Sequence, residues 1–392
     1  GAGLAGSSAA DRLADRGWSI SLIDRAPGPG QGASGNLAGV LRPLPSLDDN
    51  PLARLTRAGF AQTRAHCRTL AAAGLPLRWG QTGVLHLARD DRHAETQRRG
   101  VERHQRCVDR AQASQLAGWP VANGGWWFPG GGWVDPASLC RANLAHRATA
   151  ITPHYGRPVE RIEHRADLWH ALDAAGAVIA AAPILILANA GDARRFAPAA
   201  HLPLRAARGQ VSHLPAEEDS APAIVVCRLG YVTPTIDGRR CAGATFAVDD
   251  HDTALRSADH AENLARLDFM LPGYGRGLRA EDLDGRVGFR PLSPDRLPMI
   301  GAVADAAALA PSRPAPPLAD LPRLPGLYLI NGFGARGIVW SALAGELLAC
   351  LIDGTPPPIS DDLVSAVDPG RFLLRGRGQQ RRRPANDRGA RP

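Results

Sequence analysis

Lysine is absent from this 392-residue chain, so all 46 of its basic residues are arginine. That excludes a Schiff base on a lysine amine and the lysine of a nucleoside-triphosphate phosphate loop. Cys67, Cys107, Cys140, Cys227, Cys241 and Cys350 form no C-x-x-C pair. Thiols scattered in this way suit a reduced, cytoplasmic protein rather than a disulfide scaffold. His66, His104 and His213 lack ligand spacing, and no metal site is expected. The longest apolar run, Ala177 to Ala190, is interrupted by Pro183 and too short to cross a bilayer, so it reads as core strand and no membrane is expected.

What remains is the composition of a globular protein, 44% hydrophobic and 21% charged. The length has room for two domains and a large core. A formal charge of +8 points weakly to a polyanionic partner, since the arginine excess also reflects overall compositional bias.

The most informative stretch is the first. Gly1-Ala2-Gly3-Leu4-Ala5-Gly6 reads G-x-G-x-x-G and runs into an Ala-rich amphipathic segment that stops at Gly17. The strand Trp18 to Ile23 follows and closes on Asp24. Glycines let the backbone approach a pyrophosphate, and the helix start offers free N–H groups and a positive dipole end. Asp24 stands where an acid accepts hydrogen bonds from a ribose 2′-OH. The fingerprint ordinarily follows a central buried strand, so a strand is expected upstream of Gly1.

Further along, the small-residue loop Pro27 to Gly39 offers Ser34 and Asn36 as donors to cofactor phosphates. Asp49-Asn50-Pro51 caps a helix running from Leu52 to the stop at Gly74. Leu77 to Leu87 reads as sheet, Asp90 to His104 as a polar helix, and Asp135-Pro136 starts a helix through Ala145. Trp126, Trp127 and Trp133 read as core more readily than as a substrate mouth. Ile162 to Ala182 suggests a strand pair. Ile184 to Ala188 is a continuous apolar strand closing on Asn189-Ala190-Gly191-Asp192, the kind of strand end where parallel sheets bind ligands. From Arg208-Gly209-Gln210 onward the pattern turns antiparallel, with a helix over Ala258 to Leu271. Asp295 caps a turn or pairs with Arg296, and Ala310 to Pro325 reads as a Pro-rich connector. The strand Leu327 to Asn331 then enters Gly332-Phe333-Gly334-Ala335-Arg336-Gly337 and a helix to Ile352, a second Gly-rich helix start aimed at the cofactor. From Arg371 the arginine-studded tail reads as disordered.

The fingerprint with Asp24, Arg208-Gly209-Gln210, Gly288-Phe289-Arg290-Pro291, Leu297 to Gly301 and the Gly332 to Gly337 turn resemble, in this order, the D-amino-acid-oxidase/glycine-oxidase (DAO) class. Within it, Ala33 to Asn36, Asp49 to Leu52 and Gly230-Tyr231-Val232-Thr233-Pro234 resemble the FAD-dependent C-terminal domain of the MnmC family, bifunctional tRNA 5-methylaminomethyl-2-thiouridine biosynthesis proteins. The resemblance implies an α/β fold: a Rossmann-like FAD-binding domain, lacking its first strand here, with an inserted, mainly antiparallel α+β substrate domain. It apportions 1–75, 135–202 and 301–370 to the FAD-binding domain, 76–134 and 203–300 to the substrate domain, and 371–392 to the tail.

The implied activity is that of an FAD-dependent oxidoreductase acting on a CH–NH group. The carboxymethyl group of 5-carboxymethylaminomethyl-2-thiouridine at the tRNA wobble position would be removed oxidatively, releasing glyoxylate and leaving the aminomethyl nucleoside. An N-terminal S-adenosylmethionine methyltransferase domain, which would lie upstream, then methylates that amine in the family. The expected cofactor residues are Gly1, Gly3, Gly6, Asp24, Ser34, Asn36, Asn189, Gly191, Gly332, Gly334 and Gly337. The substrate is in effect an N-substituted glycine, whose carboxylate calls for an arginine with bidentate geometry. Arg290 and Arg336 match positions where the glycine-oxidase-like class places arginines beside the flavin, and Tyr231 matches a site tyrosine. Two alternatives stay open: an FAD-dependent oxidase of a free small amino acid such as glycine or sarcosine, and a cofactor-free tRNA-binding remnant.

Overall fold

The computed structural model describes residues 1–99, 104–218, 220–309 and 316–375. The fingerprint segment forms the helix Leu4–Asp15, which buries Leu4, Ala9, Ala10, Leu13 and Ala14 and stops at Gly17, where φ is +89°. The strand Ile20–Ile23 pairs in parallel with Ile151–His154. A second parallel pair joins Leu185–Leu187 to Arg323–Asn331, which also pairs antiparallel with Met299–Ala304. Gly1 is wedged between the ends of these two pieces. Its backbone nitrogen donates to the Ile23 carbonyl at 2.8 Å, and a Cβ on Gly1 would overlap the Ala188 carbonyl. The remaining edges of Ile20–Ile23 and Leu185–Leu187 have no strand partner among the described residues.

Three helices pack at very short range behind this sheet. Asn50 caps Pro51–Ala72 by accepting from the Ala53 N–H at 2.9 Å. That helix lies against Gly337–Asp353 so closely that a Cβ on Gly59 would overlap the Val339 carbonyl. Gly345 of the same helix faces Ser8 of the fingerprint helix with equally little room. By length and composition the stretch Gly334–Asp353 is apolar enough to cross a membrane. Here Trp340, Leu343, Leu347 and Leu348 are buried against Ala9, Leu55 and Ile330, and it serves as a core helix.

The other layer is a nine-stranded sheet. Its order is Ala247–Val248, Arg205–Pro215, Arg239–Gly243, Tyr231–Val232, Val225–Cys227, Val84–Leu87, Gly125–Phe128 and Arg106–Val108, with Asp284–Leu292 also laid along Arg205–Pro215. All its ladders are antiparallel except Val84–Leu87 with Val225–Cys227. Arg208 is 1% exposed and is held by Asp259 and the carbonyls of Asp252 and Ala254. Gln210 exchanges hydrogen bonds with the Arg256 backbone, so Arg208-Gly209-Gln210 fastens the 250–257 loop to the sheet.

Several expectations change. Ile162 to Ala182 holds three antiparallel strands, not two, because Asp173 accepts the Ala175 and Ala177 N–H groups and turns the chain a second time. The polar helix is Asp91–Arg98, with 100–103 outside the described residues. Of the expected connector, 310–315 lie outside them too, and Arg323 to Pro325 already belong to a strand. The strand Met299–Ala304 crosses the boundary drawn at 300. Trp126 and Trp127 are buried, and the Trp126 Nε1 donates to the Gln97 carbonyl. The tail does not begin at Arg371, which is 4% exposed and ion-paired to Asp295 at 2.9 Å. Asp295 takes Arg371 and Arg375 as partners instead of Arg296, and 376–392 lie outside the described residues.

Candidate active site

The start of the fingerprint helix gathers most of the expected cofactor residues. Gly1 and Gly6 are forced by packing, since a Cβ on Gly6 would overlap the Gly1 carbonyl. Gly3 is different: its nearest neighbour would be the Ser34 Oγ at 3.0 Å, and no backbone crowds it. Ser34 Oγ accepts the Leu4 N–H at 3.1 Å, while the Ala5 and Gly6 N–H groups have no protein acceptor among the described residues. Unsatisfied N–H groups at a helix start suit a pyrophosphate. Asp24 accepts from Ala2 N at 2.5 Å and Ala26 N at 2.8 Å, one bond to each oxygen. Each carboxylate oxygen keeps a lone pair for a ribose hydroxyl.

The second Gly-rich turn meets the first. Gly337 opens its helix with a Cβ position 3.0 Å from Leu4 Cδ1. Gly332 and Gly334 sit at φ +72° and +55°, left-handed conformations that glycine adopts freely. Asn331, which the sequence reading left unassigned, ties this turn to the Asn189 loop by donating to the Ala190 carbonyl at 2.8 Å. Its own Oδ1 accepts the Gly332 N–H at 2.7 Å. Among the described residues Asn189 Oδ1 is buried without a partner, and nothing fills the space beside Gly191. Asn36 Oδ1 instead accepts from Arg286 at 3.4 Å. An orphaned buried acceptor, an uncrowded Gly3 and free helix N–H groups fit a dinucleotide lying across both turns. The site residues therefore match FAD.

Tyr231 and Arg290 approach this region from the nine-stranded sheet, and Arg336 from the Gly-rich turn that bridges to the Arg290 strand. Tyr231 Oη donates to the Ala38 carbonyl at 3.2 Å and lies 3.3 Å from Cys241 Sγ, which anchors it beside the Pro27 to Gly39 loop. Burial, then Cys241, push its pKa well above the ordinary value, so it remains a neutral hydroxyl. Arg290 runs across Gly209 and donates to the Thr245 carbonyl at 3.3 Å. The Arg336 guanidinium has no hydrogen-bond or ion-pair partner among the described residues, and its turn adjoins the Arg290 strand through the Leu292–Phe333 bridge.

Arg42 joins them, and no motif marks it in the sequence. Its Nη2 is 3.2 Å from His86 Nδ1. Burial and then Arg42 hold His86 well below its usual pKa, so the imidazole is neutral and accepts. Burial is also the first cause lowering Arg290 and Arg336, with Arg266 acting further on the former and Arg42 on the latter. Among the described residues Arg42, Arg290 and Arg336 pair with no carboxylate. Desolvated, uncompensated guanidinium groups create a strong field for an anion, and carboxylate geometry suits them.

Comparison with known proteins agrees with this geometry. Residues 1–351 match the family described as FAD dependent oxidoreductase (DAO). Over 388 residues the chain is 59% identical to the tRNA 5-methylaminomethyl-2-thiouridine biosynthesis bifunctional protein MnmC of Aromatoleum aromaticum, covering 97% of this chain and 60% of that protein. The protein of the same name from an Azoarcus species is 56% identical, with 96% and 59% covered. The chain thus spans about 60% of the length of these relatives. Among solved structures, glycine oxidase from Geobacillus kaustophilus superposes with a TM-score of 0.75 at 21% identity, covering 94% of this chain and 96% of that one. Iminodiacetate oxidase from a Chelativorans species gives 0.72 at 24%, covering 92% and 96%. These two likenesses establish the fold.

Proposed function

The chain belongs to the FAD dependent oxidoreductase (DAO) family, and from that membership we propose that it oxidises 5-carboxymethylaminomethyl-2-thiouridine at the tRNA wobble position to the 5-aminomethyl nucleoside. The single observation carrying this reading is the Arg290 guanidinium, desolvated, unpaired with any carboxylate among the described residues, and set beside Tyr231. The relatives named for this tRNA pathway, at 59% and 56% identity, supply the substrate class.

Bound FAD supplies the hydride acceptor for the glycine carbon, and water hydrolyses the resulting imine to glyoxylate and the amine. The chain's own residues do the positioning. Arg290 grips the substrate carboxylate, and Arg336 and Arg42 add charge that holds it against water. Tyr231, kept neutral by burial, orients the substrate without abstracting a proton. Asp24, Ser34, Asn189 and the Gly332 to Gly337 turn hold the cofactor. The expected setting is cytoplasmic, and the second activity of the bifunctional relatives, methylation of the product amine, belongs to a unit outside these residues.

The test is anaerobic mixing of flavin-loaded protein with tRNA bearing the carboxymethylaminomethyl group. Flavin bleaching with release of one glyoxylate per flavin supports the proposal. Bleaching by free glycine or sarcosine and none by the tRNA would establish the free-amino-acid oxidase instead.

A further inference from the structure

Phe246 is 51% exposed, although it lies beside the most desolvated part of the site. A mobile loop is the ordinary home of an exposed phenylalanine, but the backbone here is pinned on both sides. The Ala244 carbonyl accepts from Arg266 at 2.5 Å. The Thr245 N–H donates to the Gln210 carbonyl at 3.2 Å, and the Thr245 Oγ1 accepts the Gln210 N–H at 3.0 Å. Immediately after Phe246, Ala247 pairs with Arg208 in the sheet. A rigid backbone thus presents an aromatic ring to solvent.

A cation stands against that ring. Arg290 Cζ stands 5.8 Å from its centroid, over the ring, and Arg290 Nη1 donates to the Thr245 carbonyl next to it. Leu229 is 55% exposed, and its neighbour Gly230 lies against the Gly243 carbonyl, so two exposed apolar side chains come from loops that meet at Gly243. A ring with a cation near it and its remaining surface open is the arrangement by which proteins stack a nucleobase while holding an attached anion.

Building on the proposed tRNA substrate, we infer that Phe246 is the platform on which the wobble uracil stacks, setting its side arm toward Arg290. The arm from the base to its carboxyl carbon is four bonds, about 5 Å. With about 4 Å more from the carboxyl carbon to a bound guanidinium carbon, the arm spans roughly 9 Å. That matches a base stacked about 3.5 Å beyond the open face of a ring whose centroid is 5.8 Å from Arg290 Cζ. One anchor holds the base and the other the carboxylate, and the reacting carbon is fixed between them. Phe246 is therefore a positioning residue that makes the site prefer a nucleotide-borne glycine to a free one. A free small amino acid has nothing to stack on it.

The experiment compares wild type with Phe246→Ala, Phe246→Trp and Phe246→Leu, on an anticodon stem-loop RNA carrying the carboxymethylaminomethyl group and on free sarcosine. The inference expects KM for the RNA to rise about tenfold in Phe246→Ala, more than any rise in KM for sarcosine, with flavin content unchanged. Phe246→Trp should restore the RNA KM, and Phe246→Leu should not. An unchanged KM in a flavin-loaded Phe246→Ala protein, or equal rescue by leucine, overturns it. Should wild type itself ignore the RNA, the proposed substrate has failed and this inference with it. When wild type turns over the RNA and Phe246→Ala does so equally well, the inference alone has failed.

Discussion

The Arg290 guanidinium occupies the space over Gly209 that any side chain would fill: a Cβ there would stand 2.5 Å from Arg290 Cζ. The two residues sit on paired strands, Arg205–Pro215 and Asp284–Leu292. Gly209 is thus the floor of the anchoring site.

Gly209→Ala should therefore displace Arg290 without unfolding the sheet, because the obstructing atoms belong to the far end of a flexible side chain. The expected loss is at least about tenfold in kcat/KM, or ~1.4 kcal/mol of transition-state stabilisation. Flavin content should stay at the wild-type level. Stopped-flow flavin reduction alongside the flavin-to-protein absorbance ratio makes the comparison.

Asp24→Ala should weaken FAD binding by about 1.5–3 kcal/mol, the worth of hydrogen bonds to a charged acceptor. Its carboxylate also receives the Ala2 and Ala26 N–H groups, so the apoprotein should lose stability as well. Fluorescence titration with FAD measures the first effect, and thermal melts of the apoprotein measure the second.

Much of this site is legible in the residues themselves. The fingerprint, Asp24 and the Gly332 to Gly337 turn are local motifs whose chemistry depends on backbone and helix ends close in sequence. Arg290, Arg336 and Tyr231 were placed by resemblance to a family, since nothing in their spacing distinguishes them from the other arginines and tyrosines. Arg42 and His86 escaped notice because they share no motif and meet only through the fold, Arg42 just after the short strand Gly39–Leu41 and His86 within Val84–Leu87. Phe246 escaped for another reason: exposure beside a pinned backbone is a tertiary property. The tail was misjudged at its start because composition cannot show that Arg371 finds a buried acid 76 residues away.

Arg371 and the residues after 375 should therefore behave oppositely. Removing 376–392 should leave thermal stability and flavin content unchanged, with any effect confined to salt-sensitive tRNA binding. Arg371→Ala should cost about 1.5–3 kcal/mol, because it removes charged hydrogen bonds to the half-buried Asp295, which keeps Arg375. Burial alone would raise the Asp295 pKa, yet the hydrogen bonds from Arg371 leave it lowered. That contribution is present above the usual carboxylate range and fades as pH falls through the folded value. Urea titrations at pH 7 and at pH values descending below the ordinary carboxylate value of 3.8 test both statements.

Histidines set a milder acid sensitivity. His66, His86, His93, His201, His213 and His260 are all lowered, in each case with burial as the first cause. The unfolded chain then binds more protons, so stability is complete above the ordinary histidine pKa and declines as pH falls below about 6.5. His86, lowered well below its ordinary value, should account for the largest single share of that decline. A smaller drop in Tm between pH 7.5 and 5.5 in His86→Gln would confirm its share; an identical drop would not.

The most direct measurement is mass spectrometry of the wobble nucleoside after incubating hypomodified tRNA with wild type, Arg290→Ala and Arg290→Lys. Loss of a desolvated charged partner costs about 2–5 kcal/mol, so alanine should lower turnover at limiting tRNA roughly thirtyfold or more. Lysine should rescue only in part, since it lacks the bidentate fork, and flavin content should match wild type throughout. Conversion of the carboxymethylaminomethyl form by Arg290→Ala at the wild-type rate would contradict the account and move the carboxylate anchor to Arg336.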